Sequence, residues 1–389
     1  MTKSEKLSLL NANTMEERLA NLEKLIAAET QTPQAKPQFA NNHIHTTYSF
    51  SPYSPTAAVY FAREAGLQTA GIMDHDSIGG AEEFRRAGEI AGIAVTCGIE
   101  CRVDMRDTPF AGRRLNHPDQ KGVAYMAVHS VMPDQIAYLQ ETTVEMRKRR
   151  NTRNRMMVQR INALMSPIAI SLDFDTDVLP TSLYHEGGAV TERHLLWALS
   201  GKLLAIKGVS KTIEALEELG IVITETQKAK LFAEDDSVQY DLLGILKAEL
   251  VEQFYIPATD ELFSLSELAH LAEEVGAILC YAYLGDVGES VTGDKRAQAF
   301  EDCFLDELFI ALKDVGVRGI TYMPSRNSDE QIARLQGLCK EYGMLEICGE
   351  DVNSPNQSFI CDKLVDPRFS HLVEATWNLI EREKKGKIS

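Results

Sequence analysis

An α/β fold, a distorted barrel of about seven strand–helix units interrupted by a mostly helical inserted domain, is what this sequence predicts. Three observations predict it. Short apolar runs alternate with segments of helical periodicity, the mark of a parallel sheet flanked by helices. Most of these runs end in a His, Asp or Glu, which is where barrels carry their chemistry, at the C-terminal ends of strands. The alternation stops between His129 and Gly276, and residues from about 145 to 262 read as mostly helical.

Taken in order, Thr14 and Glu17 form a capping box ahead of Leu19, Leu22, Leu25 and Ile26 at helical spacing. This helix can pack on its own barrel or on a second subunit. Residues 30–38, with Pro33 and Pro37, read as a linker. The apolar runs end near His43 and His45, Asp74 and His75, Glu100, His129, Tyr281, Tyr322 and Asp351. Helices are expected over 55–65, 80–91, 265–275, 296–315 and 329–342. The insertion opens with a basic helix from Arg147 to Arg160, continues through a loop around Tyr184–Gly188 and a helix after Thr191, and closes with a Glu/Asp/Lys-rich helical hairpin. The expected layout is a helix and linker over 1–38, a barrel over 39–144 and 263–389, and the insertion over 145–262.

Composition narrows the function classes. Across 389 residues the formal net charge is −17, which opposes stable binding to duplex nucleic acid, since that needs a basic surface. The first ten residues lack the apolar stretch of a signal peptide, and no run of about 18 apolar residues marks a membrane span. The seven cysteines are scattered and form no CxxC pair, so they read as reduced, buried thiols of a cytoplasmic protein.

Five stretches carry the chemistry. In His43-Ile-His45 alternate residues of a strand present both imidazoles to one face. Met73-Asp-His-Asp76, Gly98-Ile-Glu100, Val128-His129 and Gly349-Glu-Asp351-Val-Asn353 close later strands. Imidazole and carboxylate together suit zinc, manganese or iron. A lone histidine at a strand end is ordinarily a hydrogen-bonded structural residue, and a lone carboxylate a helix cap. Four successive strands ending in such residues favour a metal centre.

On these stretches the chain resembles the polymerase-and-histidinol-phosphatase (PHP) phosphoesterases. The resemblance rests on His43-Ile-His45-Thr-Thr-Tyr-Ser49 with Ser54-Pro55, on Gly71-Ile-Met-Asp-His-Asp76, and on the spacing to Glu100 and His129. The helical insertion is similar to that of the PHP subgroup acting on nucleotide 3′,5′-bisphosphates and short oligoribonucleotides. The resemblance implies a first metal held by His43, His45, Glu100 and Asp351, and a second that shares Glu100 and uses His129. It implies a third that uses His75. Where the family has further ligands this chain has Phe50, Tyr281 and Asn353. The expectation is therefore one or two divalent ions, Mn, Zn or Fe, with Tyr281 more suited to hydrogen bonding and Asp286 an alternative ligand.

Asp74 reads either as a carboxylate supporting a ligand, as a base near the attacking water, or as a helix cap. Arg193 and His194, at a helix start, are candidate phosphate ligands, with His194 also a candidate catalytic group. Arg153, on the basic helix, is either a clamp over the barrel mouth or part of a solvated face. Arg326, on the rim after Tyr322, is a further anion ligand or a turn residue. The leading reading is hydrolysis of a phosphomonoester or phosphodiester, nucleotide-like by resemblance, through metal-activated water. The alternatives are a non-catalytic binding module with a depleted site, and a metal-dependent hydrolase of C–N or C–O bonds.

Overall fold

The computed structural model describes residues 1–29, 33–233, 236–287 and 299–385. Eight strands form one sheet: β1 (Ala40–Ile44), β2 (Thr69–His75), β3 (Ala94–Asp104), β4 (Val123–His129), β5 (Phe263–Ser264), β6 (Ile278–Ala282), β7 (Gly319–Tyr322) and β8 (Leu345–Cys348). Their order is β1-β2-β3-β4-β6-β7-β8, with the two-residue β5 paired to the far end of β3. Chain beyond β8 returns to β1. His45 N donates to Val352 O at 3.0 Å and Val352 N to His43 O at 3.2 Å, which nearly closes the barrel. Ile44, Ile72, Ile99, Val128 and Ile320 belong to its core cluster. Each of the seven expected runs is a strand.

One expectation is corrected. β4 runs antiparallel to both β3 and β6, while the other principal neighbours are parallel. The reason lies in the connection. Residues 105–122 form turns and no helix, so β4 folds straight back on β3 as a hairpin rather than crossing over. His129 is consequently paired with Ile278, the first residue of β6, and sits at the depth of the barrel rather than on its rim.

The helices flanking the sheet follow their local signals. Ser54 caps Pro55–Glu64 by accepting from Ala57 N, with Pro55 in the first turn. Ser264 and Ser328 form capping boxes for Leu265–Glu274 and Asp329–Tyr342. The helix expected over 296–315 begins at Leu305, after a 3₁₀ turn at Asp302–Phe304, and residues 296–298 lie outside the described residues. So does the start of the 30–38 linker. Three helices were not expected, Lys3–Leu10, Ile136–Thr142 and Ser370–Lys385. The N-terminal helices Lys3–Leu10 and Met15–Ala27 pack on their own barrel. Leu10, Leu19 and Leu22 enter the core, and buried Arg18 makes two bonds to Glu83, which also accepts from Thr56 N and Oγ1.

Ser370–Lys385 lies against β8, β3 and β1 and carries a buried carboxyl. Glu383 Oε1 accepts from Cys97 N at 3.0 Å and from Thr96 Oγ1. Burial pushes its pKa up to about 8, against the opposing pull of Thr96, Cys97 N and Arg85. The folded chain thus keeps a proton that the unfolded chain releases near the ordinary glutamate value. Stability from this group is complete below about pH 4.5 and is lost as pH rises through about 8. Glu383→Gln is expected to stabilise the protein at pH 8.5 by on the order of 2–4 kcal/mol relative to its effect at pH 5, read by urea denaturation at both values.

Between β4 and β5 the chain is mainly helical: Val144–Met165, Glu192–Glu218, Glu225–Phe232 and Val238–Phe254. Gly208, at φ 70°, kinks the second of these. Met157, Ile161, Leu195, Leu199, Leu246 and Phe254 form a separate apolar cluster, which Phe50 of the barrel joins. The basic helix is not simply a solvated face. Arg149, Arg155 and Arg160 are exposed, but Arg147, Arg150 and Arg153 are buried. Arg150 and Arg153 belong, with Arg102, to a network of three guanidiniums and three carboxylates, Asp76, Glu192 and Glu261. Burial opposes ionisation of Asp76 and Glu192, yet the guanidiniums hold both below the usual carboxylate range. No helix among the described residues is long and apolar enough to cross a membrane.

Candidate metal centre

Glu100 is the hub of the site. β3 carries it into the barrel between β2, where His75 is its register partner, and β4. Its oxygens lie 2.9 Å from His75 Nδ1, 3.5 Å from His43 Nε2 and 4.0 Å from His45 Nε2. Asp351, just beyond β8, reaches within 3.2 Å of His45 Nε2. Close approach of β8 to β1 depends on Gly349, where a Cβ would meet His43 Cβ at 2.5 Å. Burial acts to raise the pKa of Glu100, but His43 and His75 hold it far below the ordinary carboxylate range. Asp351 is held down in the same way by His45, His43 and His75.

His43, His45 and Glu100 bring one ligand atom each within 4.8 Å of one another, a group able to hold a metal ion. Mixed imidazole and carboxylate donors suit Zn, Mn or Fe. His129 adds an independent observation. It is buried below Glu100, burial and the neighbouring His43 push its pKa down to about 3, and its Nε2 has no hydrogen-bond partner. A buried imidazole nitrogen without a hydrogen-bond partner beside a carboxylate suits a metal ligand. The residues present therefore fit a metal.

Above this cluster lies a cavity of about 220 Å³. His43, His75, Glu100 and Asp351 line its floor, and Arg193 and Arg326 line its walls. Arg193 stacks over the Phe50 ring at 4.9 Å and donates to Asn353 Oδ1, while Asn353 Nδ2 donates to Asp351 Oδ1 at 2.6 Å. Thus Phe50 and Asn353 both support Arg193. Tyr281 faces away from the cavity, and its hydroxyl accepts from Asn116 N at 3.3 Å. Asp286 also lies off the cavity, tying down Phe300 N at 2.6 Å.

Three sequence candidates are turned away from the cavity. Asp74 is fully buried, and its carboxylate accepts from Thr46 N, Thr46 Oγ1 and Ser49 Oγ, each at 2.6 Å, so it supports the His43–Ser49 segment rather than facing a water. His194 caps its own helix. Its Nδ1 accepts from Thr191 N at 3.0 Å, and burial pushes its pKa down to about 3. Arg153 is committed to Glu192, Glu261 and Ile256 O. Sequence reasoning missed Arg150 and Lys247, which line the cavity, and an aromatic wall in which His117 stacks on Tyr125 with ring centroids 5.0 Å apart. Arg150 had a signal. Residues 147, 150, 154, 157 and 161 follow one helical stripe that ends in Met157 and Ile161, so its polar end is buried with its apolar end.

Fold and site together define a nearly closed α/β barrel whose mouth gathers a His/Glu/Asp cluster compatible with a metal ion. The PHP domain matches residues 41–306, about two-thirds of the chain, and the chain belongs to the PHP family. No curated protein matches it. Among solved structures it is similar to a Bifidobacterium adolescentis protein described as a candidate metal-dependent phosphoesterase. That match has 20% identity and TM-score 0.53, over 88% of this chain and 98% of the other. It is also similar to an amidohydrolase from Chromobacterium violaceum, solved with bound sulfate and no metal. Here identity is 17% and TM-score 0.55, over 87% of this chain and 96% of that one. At these identities the likeness is one of fold.

Proposed function

We propose that this protein is a metal-dependent phosphoesterase that hydrolyses a small phosphomonoester or phosphodiester. The observation that carries the reading is Glu100 surrounded by His43, His45 and His75 at the floor of a cavity whose walls present Arg193 and Arg326. His43, His45, Glu100 and Asp351 would hold a divalent ion, with His129 available to a second, and such an ion would lower the pKa of water and polarise a phosphoryl oxygen. Arg193, fixed by Phe50 and Asn353, binds the phosphate oxygens. Asn353 orients Asp351 at the same time.

A cavity of this size suits a small molecule and not a duplex. The His117–Tyr125 wall favours a substrate with a planar ring, in keeping with a nucleotide. Seven free thiols, six of them buried, suit the reducing cytoplasm.

A second reading is a non-catalytic ligand-binding module. It is favoured by Tyr281, whose bulk goes to the barrel core, and by Phe50, whose ring offers no lone pair to a metal ion. The test is metal content after purification without chelators, followed by phosphate release from nucleotide and sugar phosphates with Mn, Zn or Fe, beside amide and lactone panels. Phosphate release with one or two bound ions is expected. Metal without turnover of any phosphoester would leave the binding module, and amide or lactone turnover alone would replace the reaction class. Arg193→Ala is expected to lower kcat/KM by about 10–100-fold while leaving metal content unchanged.

A further inference from the structure

Two side-chain amides hold one wall of the cavity. Asn116 and Gln120 lie in the turns that join β3 to β4, and Asn116 is buried. The ladder between β4 and β6 ends at Met126 and Tyr281. Asn116 takes up the bonds one step beyond. Its Oδ1 accepts from Tyr125 N at 2.7 Å, and its Nδ2 donates to Tyr125 O at 2.8 Å and to Ala282 O at 2.5 Å. An N–H can only donate and a carbonyl only accept, so the two strands impose this orientation of the amide. The side chain thus stands as a wedge between β4 and β6 at the mouth. The next residue, His117, turns into the cavity against Tyr125. Asn116 N donates to Tyr281 OH at 3.3 Å, so buried Tyr281 fixes the wedge from the side away from the cavity.

Gln120 repeats the arrangement where the inserted helices end. Its Oε1 accepts from Ala258 N at 2.7 Å and from Tyr255 OH at 3.1 Å, and its Nε2 donates to Ala258 O at 2.9 Å. Between the two amides, His117 Nδ1 accepts from Asp119 N at 3.2 Å and from Gln120 N at 3.1 Å, which holds the ring in the turn. The result is a row of rings. His75 on the floor lies 5.4 Å from Tyr125, Tyr125 lies 5.0 Å from His117 with the planes 7° apart, and His117 lies 6.3 Å from Tyr255. The row starts beside Glu100 and runs away from it, so it faces what is attached to a phosphate rather than the phosphate itself.

We infer that Asn116 and Gln120 are positioning residues that set His117, Tyr125 and Tyr255 as one aromatic wall, and that this wall selects a leaving group bearing a planar ring. The inference rests on the proposed phosphoesterase reading for the place of the phosphate. Side chains fixed before a ligand arrives lose little freedom on binding, so loosening either amide weakens ring binding.

The test uses full-length protein loaded with Mn²⁺ and two families of non-hydrolysable probes, phenylalkyl phosphonates and cyclohexylalkyl phosphonates of matched chain length. Binding is read by calorimetry. The families differ in planarity at nearly equal apolar bulk. Wild type is expected to bind a phenyl probe about 2–10-fold more tightly than its cyclohexyl counterpart. His117→Leu, which keeps apolar bulk without a ring, should remove most of that preference. Gln120→Ala and Asn116→Ser are expected to weaken the phenyl probe by about 2–10-fold while cyclohexyl affinity and metal content hold.

Asn116→Ser leaves Tyr125 and Ala282 with fewer partners, so thermal unfolding is followed for every variant, and half-buried Gln120→Ala decides if Asn116→Ser is poorly folded. A fall in both affinities together, or in metal content, would give the amides a structural role only and overturn the inference. Equal affinity of wild type for the two families would overturn the selection by the wall and leave the phosphoesterase reading intact. Preference for phenyl probes without phosphate release from any ester would uphold the wall and overturn the hydrolase instead. Wild type that binds neither family would overturn both.

Discussion

Glu100→Ala is expected to strip the centre of metal and to lower kcat/KM by more than the ~10–100-fold typical of residues that only support a ligand. The reason is geometric. Among the described residues its carboxylate alone lies within 4.0 Å of three imidazoles, those of His43, His45 and His75. Removing it also takes away the anion that offsets a cation's charge in a buried site, so the remaining imidazoles would have to hold a divalent ion with only Asp351 for charge. Glu100→Gln separates these contributions, because it keeps the volume and one oxygen but removes the charge. Elemental analysis should give well under one equivalent of metal for the alanine variant. If Glu100→Ala retained the wild-type metal content and turnover, the ion would be held elsewhere, and the cluster would be a hydrogen-bonded core of histidines and carboxylates.

Much of this centre was legible because its ligands lie within short local patterns. His43 and His45 share a strand face by two-residue alternation, and Glu100 follows an apolar run. What escaped were features set by pairing over long sequence separation. Nothing in Val123–His129 says that the strand runs backwards. That follows from the missing crossover helix over 105–122, a negative feature easily passed over. His194 was read as a phosphate ligand because a residue at a helix start serves an anion or its own backbone equally well, and in the structure its Nδ1 accepts from Thr191 N. Arg153 was left between a clamp over the barrel mouth and a solvated face because its partners, Glu192 and Glu261, lie 39 and 108 residues away. The Lys3–Leu10 helix, by contrast, had a capping box in Thr2 and Glu5 and could have been read.

Glu261→Ala should produce the largest loss of stability in the molecule's charged network, about 3–5 kcal/mol by urea denaturation. Its side chain is 1% exposed and accepts from Arg102 Nη2 at 2.8 Å and from Arg153 Nε at 2.9 Å. With Glu261 gone, three buried guanidiniums face only Asp76 and Glu192, and the excess positive charge has no water to turn to. Such a loss is a large share of the 5–15 kcal/mol typical of a folded domain. The exposed pair Arg155–Asp175 is the internal control, since screening by solvent leaves Asp175→Ala with little effect on stability. A further contrast tests the cause. Arg153→Met combined with Glu261→Leu removes one charge of each sign and should recover most of the loss, because replacing a buried pair with apolar groups of similar size is often neutral. Recovery would assign the cost to the uncompensated charge. A double variant as unstable as Glu261→Ala would assign it to lost packing where Arg153 lies over the Tyr255 ring, 5.4 Å from its centre. The same network includes Arg150, which lines the cavity, so an uncompensated charge there would also disturb the wall of the site that receives the substrate.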